Sequence, residues 1–212
     1  MSSQKRLVQL DVDSTFIQQE AIELLAAKAG VLDEVSRITA AAMRGEIDFA
    51  QSLIARVELL QGLGETVIIQ VQEEILLTDG AAELVSLVHE KGHFISLVSG
   101  GFTNILQPIV DELKIDFYKA NTLEIVDGEL TGKVIGPIVD RAAKAQALKE
   151  FAQKCSVDLA NTVAIGDGAN DLDMMQVAGI SIAFNAKPIV EAAADYSITE
   201  PSLRSVPALI NL

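Results

Sequence analysis

The sequence predicts an α/β fold: a doubly wound, Rossmann-like parallel sheet with a helical cap inserted after the first strand and a small β-hairpin. Three observations carry this. Short apolar runs at 7–10, 94–98, 162–165, 180–184 and 196–198 are separated by helical stretches, as parallel βαβ units require. The chain opens strand-like, turns helical after about residue 17, and alternates strands with helices only from about residue 80, which marks an insertion. Over 122–135, β-branched and apolar residues flank Asp127-Gly128, a pair suited to the positive φ angles of a two-residue hairpin turn.

Taken in order, the first strand at 7–10 leads into the polar cluster Asp11-Val12-Asp13-Ser14-Thr15. Residues 18–77 then show helical spacing. Ile22, Leu25, Ala26 and Ala29 line one helix that ends at Gly30, and Phe49, Leu53, Val57 and Leu60 line another that ends near Gly62. Asp48 with Gln51 three residues on resembles a capping pair for the second. The expected division is therefore an α/β core from 1–17 and 78–212, and a helical cap from 18–77. The second strand ends in Ser99-Gly100-Gly101 and the third in Gly166-Asp167-Gly168-Ala169-Asn170-Asp171. His89 and His93 are four apart, but Gly92 is expected to break the helix between them, so they are read as surface histidines and not as a zinc pair.

Composition narrows the partners. Half the 212 residues are apolar and 4% are aromatic, an ordinary globular interior of Ala, Leu, Ile and Val. A net charge of -14 repels polyanions, which argues against nucleic acid and against an anionic membrane surface. Lys5 and Arg6 precede too short an apolar stretch for a signal peptide, and no run approaches membrane-spanning length. The single Cys155 allows no internal disulfide, so a cytoplasmic location is expected. A monomer or homodimer is expected.

In an open parallel sheet the carboxyl ends of the strands form the ligand crevice, so the three polar clusters are expected to converge. Asp11 and Asp13, two apart on extended chain, would point to one side and crowd each other. Asp167 would complete an all-oxygen site of the kind a hard divalent ion such as Mg²⁺ prefers, and Mg²⁺ in turn reaches for phosphate. A phosphate dianion about 4 Å from these carboxylates meets repulsion of order 4 kcal/mol per charge pair, which a cation must offset. Lys144 is a candidate: it shares an inward face with Leu148, Phe151 and Cys155, yet occupies a first helical turn, where the dipole disfavours a cation. An anion facing it would explain that placement, and a stem lying over apolar surface is the alternative. Ser99 and the backbone near Gly100 could hold phosphate oxygens, although small residues after a strand more often make a turn. Arg56 lies on the apolar stripe Phe49, Leu53, Arg56, Leu60; it suits either a substrate carboxylate or an internal salt bridge.

Together these motifs resemble the haloacid dehalogenase-like hydrolase superfamily and, within it, the phosphoserine phosphatase branch. The resemblance rests on DVDST at 11–15, Glu20, the segment from Gly45 to Arg56 with its FAQSLIAR, SGGF at 99–102, DGELTG at 127–132, Lys144, GDGANDLDMM at 166–175 and FNAKP at 184–188. It implies that Asp11 is the nucleophile, forming an aspartyl-phosphate, and that Asp13 protonates the leaving serine oxygen and then activates water. It further implies Mg²⁺ held by the side chains of Asp11 and Asp167 and the carbonyl of Asp13, with Asp171 behind them. Ser99, Gly100, Lys144 and Asn170 would hold the phosphate, Glu20 the ammonium and Arg56 the carboxylate of O-phosphoserine. Met43 and Phe49 would exclude water. A related phosphatase, a phosphotransferase, or a phosphate-binding regulator without turnover are the rival readings. Gln9 and Asp79 depart from the family pattern. Regulation by a domain preceding Asp11, as in many relatives, is not expected.

Overall fold

The computed structural model of the protein describes residues 4–44 and 46–212, and the side chain of Met43 lies outside this description, as does Gly45. Seven strands form one sheet in the order β4-β3-β2-β1-β5-β6-β7. They are β1 (Leu7–Asp11), β2 (Phe94–Phe102), β3 (Phe117–Val126), β4 (Glu129–Ile135), β5 (Thr162–Gly166), β6 (Ile180–Phe184) and β7 (Tyr196–Ile198). Every pairing is parallel except β3 with β4. All five residues of the central β1 are buried, as a strand covered on both faces must be. Its one polar interior residue, Gln9, is satisfied: it donates to the Lys144 carbonyl at 3.2 Å and accepts from Ser96 Oγ at 3.3 Å.

The hairpin forms over the expected stretch, with Thr122 opposite Ile135 and Val126 opposite Glu129. Asp127 and Gly128 take φ of 52° and 81°, the left-handed pair that such a turn needs. Unexpected from sequence is the first half of β3, which extends the parallel sheet by pairing 117–119 with 96–98 of β2.

Helices cover both faces. One side carries α5 (Ala81–Glu90), α6 (Thr103–Leu113) and α10 (Val206–Leu209); the other carries α7 (Arg141–Lys154) and α8 (Leu172–Val177), with the short α9 (Pro188–Glu191) nearby. Between β1 and α5 lie four more: α1 (Ala21–Ala29), α2 (Leu32–Met43), α3 (Phe49–Glu58) and α4 (Thr66–Glu74). Asp48 caps α3 as its spacing suggests, its carboxylate accepting the Gln51 N–H at 2.8 Å. These four helices share a third apolar cluster that includes Leu25, Leu53, Val57 and Leu60 and closes against Phe102, Ile105, Leu123 and Leu130. The two passages into and out of them run side by side: Gln18 N–H donates to Leu76 O at 2.9 Å and Thr78 N–H to Phe16 O at 3.0 Å.

His89 faces Asp116 at 3.0 Å. His93, expected at the surface, is instead buried beside β1, its Nδ1 accepting the Arg6 N–H at 3.2 Å. Gly92 between them, at φ 74°, ends the helix. No helix among the described residues is long and apolar enough to cross a membrane.

Candidate active site

Asp11 is the last residue of β1, Ser99 lies near the end of β2, and Asp167 and Asp171 follow β5, so three adjacent strands deliver the polar clusters to one rim of the sheet. Lys144 reaches the same place from the first turn of α7. Its side chain is 1% exposed, and its ammonium pairs with Asp11 Oδ1 at 2.5 Å and Asp171 Oδ1 at 2.7 Å. Oxygens of Asp11, Asp167 and Asp171 all lie within 4.8 Å of one another.

Three carboxylates thus face one ammonium, with little water to screen them. Burial, reinforced by Asp171, pushes the Asp11 carboxyl well above its ordinary range although Lys144 pulls the other way. Burial and Asp171 likewise raise Asp167 to about 6. For Lys144 burial works against the charge, but Asp11 and Asp171 outweigh it and the ammonium is held above its usual value. This is a site short of positive charge, built from oxygen donors alone, and a hard divalent cation fits it.

Asp13 stands apart from that group. The chain does not stay extended past Asp11: Ser14 adopts a left-handed φ of 58°, and Ile17 N–H closes back on Val12 O at 3.0 Å. The Asp13 carboxylate accepts from Ser99 Oγ at 2.8 Å and from the Ala21 N–H at 2.8 Å. Ser99 Oγ in turn accepts the Gly101 N–H at 2.7 Å. Asn121, which sequence reasoning did not single out, braces this loop by donating to Gly100 O and accepting the Val139 N–H, both at 2.8 Å. No local pattern marks it, because its partners come from β2 and from the approach to α7.

Above the rim is a cavity of about 560 Å³. Asp11, Asp13, Asp167, Gly100 and Asn170 form its floor, and Glu20, Phe49 and Arg56 line it from the helical insertion. Ser99 and Lys144 sit buried behind the floor. Glu20 accepts from Ser14 Oγ at 2.7 Å, and burial followed by the Asp13 charge raises its carboxyl to about 7. Arg56, on α3, donates through Nε to the Ser52 carbonyl at 3.1 Å; burial depresses its pKa against the attraction of Glu20 and Asp13. The Phe49 ring lies over Gly100 so closely that a Cβ there would be 2.7 Å from the ring edge. Gly100 is therefore a position of close approach between insertion and core.

The described arrangement matches known proteins over most of its length. Residues 8–176 fit the family model for haloacid dehalogenase-like hydrolases. A phosphoserine phosphatase of Streptomyces coelicolor is 54% identical across 98% of this chain, and that of Streptococcus thermophilus is 50% identical across 97%. The chain spans 51% of the Streptomyces protein and 96% of the Streptococcus one. A solved phospho-aspartyl intermediate analogue of phosphoserine phosphatase superposes with a TM-score of 0.92 at 39% identity, covering 98% of this chain and 100% of that one. A substrate-bound phosphoserine phosphatase gives 0.93 at 39% identity, covering 98% and 99%. The chain belongs to the haloacid dehalogenase-like hydrolase family, on the branch occupied by its phosphoserine phosphatase relatives.

Proposed function

We propose that the protein is a phosphoserine phosphatase that hydrolyses O-phosphoserine to serine and phosphate through an aspartyl-phosphate at Asp11, the last step of serine biosynthesis, in the cytoplasm. The observation that carries this is the cavity itself: Glu20 and Arg56, opposite charges from two places in the 18–77 segment, line the same space as Asp11 and Asp13. An acid at one position and a guanidinium at another suit an ammonium and a carboxylate on one small molecule. We assign 18–77 as a cap over the 1–17 and 78–212 core, and Phe49 as the residue that seals it.

Asp11 attacks phosphorus, its carboxylate oriented by Lys144 through Oδ1. Asp13, fixed by Ser99 and the Ala21 N–H, gives a proton to the departing serine oxygen. With serine gone, Asp13 takes a proton from the water that attacks phosphorus, and Asp11 is released with inorganic phosphate. Ser99, Gly100, Lys144 and Asn170 steady the phosphoryl oxygens. Mg²⁺, held by the carboxylates of Asp11 and Asp167 and the Asp13 carbonyl, would supply the positive charge that lets a phosphate dianion sit among acids. Glu20 meets the substrate ammonium, whose charge would bring the raised Glu20 carboxyl down and ionise it.

Two variants probe this. Arg56→Ala should lower kcat/KM for phosphoserine by about 100-fold while leaving glycerol phosphate hydrolysis unchanged, since only the former offers a carboxylate. Equal turnover of phosphoserine by variant and wild type would refute the substrate assignment. A Cβ at Gly101 would lie 2.7 Å from Asp13 Oδ2 and 2.9 Å from Ser99 Oγ. Gly101→Ala should therefore displace the Asp13 carboxylate and cut kcat by about 100-fold, with folding retained by circular dichroism.

A further inference from the structure

Ser52 lies one turn before Arg56 on α3, so the two side chains share a helix face, and both line the cavity. Ser52 is 1% exposed, and its Oγ is the buried side-chain polar atom left without a hydrogen-bond partner among the described residues. That is unusual, because a serine within a helix has an acceptor at hand in the carbonyl four residues back. The neighbouring hydroxyl on this wall uses it: Thr39 Oγ1 donates to Val35 O at 3.0 Å and accepts from Arg56 Nη1 at 3.4 Å. At Ser52 the backbone N–H donates to the Asp48 carbonyl at 3.0 Å, but the hydroxyl does not join it there. A desolvated hydroxyl with no partner disfavours the folded chain, and alanine would also be the better helix former. The first penalty is recovered if a ligand atom completes the hydroxyl.

We infer that Ser52 is a specificity-determining residue whose hydroxyl donates a hydrogen bond to the substrate carboxylate that Arg56 holds. The inference rests on the phosphoserine reading of the cavity. Arg56 supplies charge and Ser52 supplies direction, so the pair favours a planar carboxylate over a substrate that ends in hydrogen at the same carbon.

The test measures kcat and KM for phosphoserine and for phosphoethanolamine, which keeps the ammonium and lacks the carboxylate, in wild type, Ser52→Ala and Ser52→Cys. Thermal unfolding without substrate is followed alongside. Ser52→Ala should raise KM for phosphoserine about tenfold, as expected for losing a hydrogen bond to a charged group, with phosphoethanolamine constants unmoved and a midpoint equal to or above wild type. Ser52→Cys, similar in size but a weak donor, should fall between the two. An unchanged KM for phosphoserine, equal losses on both substrates, a lowered midpoint, or a cysteine variant as good as wild type would each overturn the assignment of Ser52. A wild-type enzyme that does not distinguish the two substrates would instead overturn the phosphoserine reading, and Ser52 with it.

Discussion

Asp11→Asn is expected to release no phosphate above background, a loss of at least about four orders of magnitude in kcat, while remaining folded. An amide is a poor nucleophile, and the neighbouring Asp13 and Asp171 are engaged elsewhere: Asp13 accepts from Ser99 and Ala21, and Asp171 is committed to Lys144 and to the Gly168 N–H at 3.0 Å. Stability should not suffer. The substituted amide would retain an oxygen for the Lys144 ammonium, and the Asp11 charge that burial and Asp171 disfavour would be gone. Without Mg²⁺ the variant should therefore melt at or above the wild-type temperature at pH 8. Phosphoserine should still raise that temperature through binding to the native state. Residual turnover near wild type would refute the nucleophile.

Lys144→Met should lose both function and stability. The substitution preserves much of the stem and removes an ammonium that joins Asp11 and Asp171, leaving two buried carboxylates without their cation. Breaking one side of a buried pair costs about 3–5 kcal/mol. In a chain of this size that is a drop of roughly 10 °C in Tm. The deficit should shrink on acidification. Asp11 already has a raised folded pKa, and losing Lys144 raises it further, so its ionisation subtracts stability as pH climbs from the unfolded carboxyl range through the folded value. Melting at pH 8 and at pH 5 checks this: a variant as stable as wild type at pH 8 would show that the pairs do not hold the site together. Turnover should fall by about a thousandfold, because phosphate would meet the carboxylates without the offsetting cation.

Much of this site was legible in the sequence because it sits where sheet topology puts ligands. Asp11, Ser99 and Asp167 each follow an apolar run, and the parallel order β2-β1-β5 makes their neighbourhood a consequence of those runs. Lys144 was legible through a conflict, a cation on an inward face at the positive end of a helix, and its two anionic partners resolve that conflict. Asp127-Gly128 specified its hairpin through local φ preferences. Features set by distant contacts were not readable. The first half of β3 mixes Phe117 and Tyr118 with Lys119 and Asn121, so its place in the parallel sheet depends on β2 being there to pair with it. Asp13 and Asp11 look alike by spacing, but Asp11 pairs with Lys144 whereas Asp13 accepts from Ser99 and the Ala21 N–H, partners that only the fold brings to them. Asn121 carries no signal until the fold shows what it faces, and Ser52, although it lies within FAQSLIAR, gives no sign of its role until then.

The most direct measurement is to quench the Mg²⁺-supplied protein during turnover of phosphoserine, reduce any acyl phosphate with borohydride, and map the modified residue by peptide mass spectrometry. Reduction at position 11 alone, absent when phosphoserine is withheld, is the predicted result. A modification at another carboxylate, or none during steady hydrolysis, would mean that phosphate does not pass through Asp11.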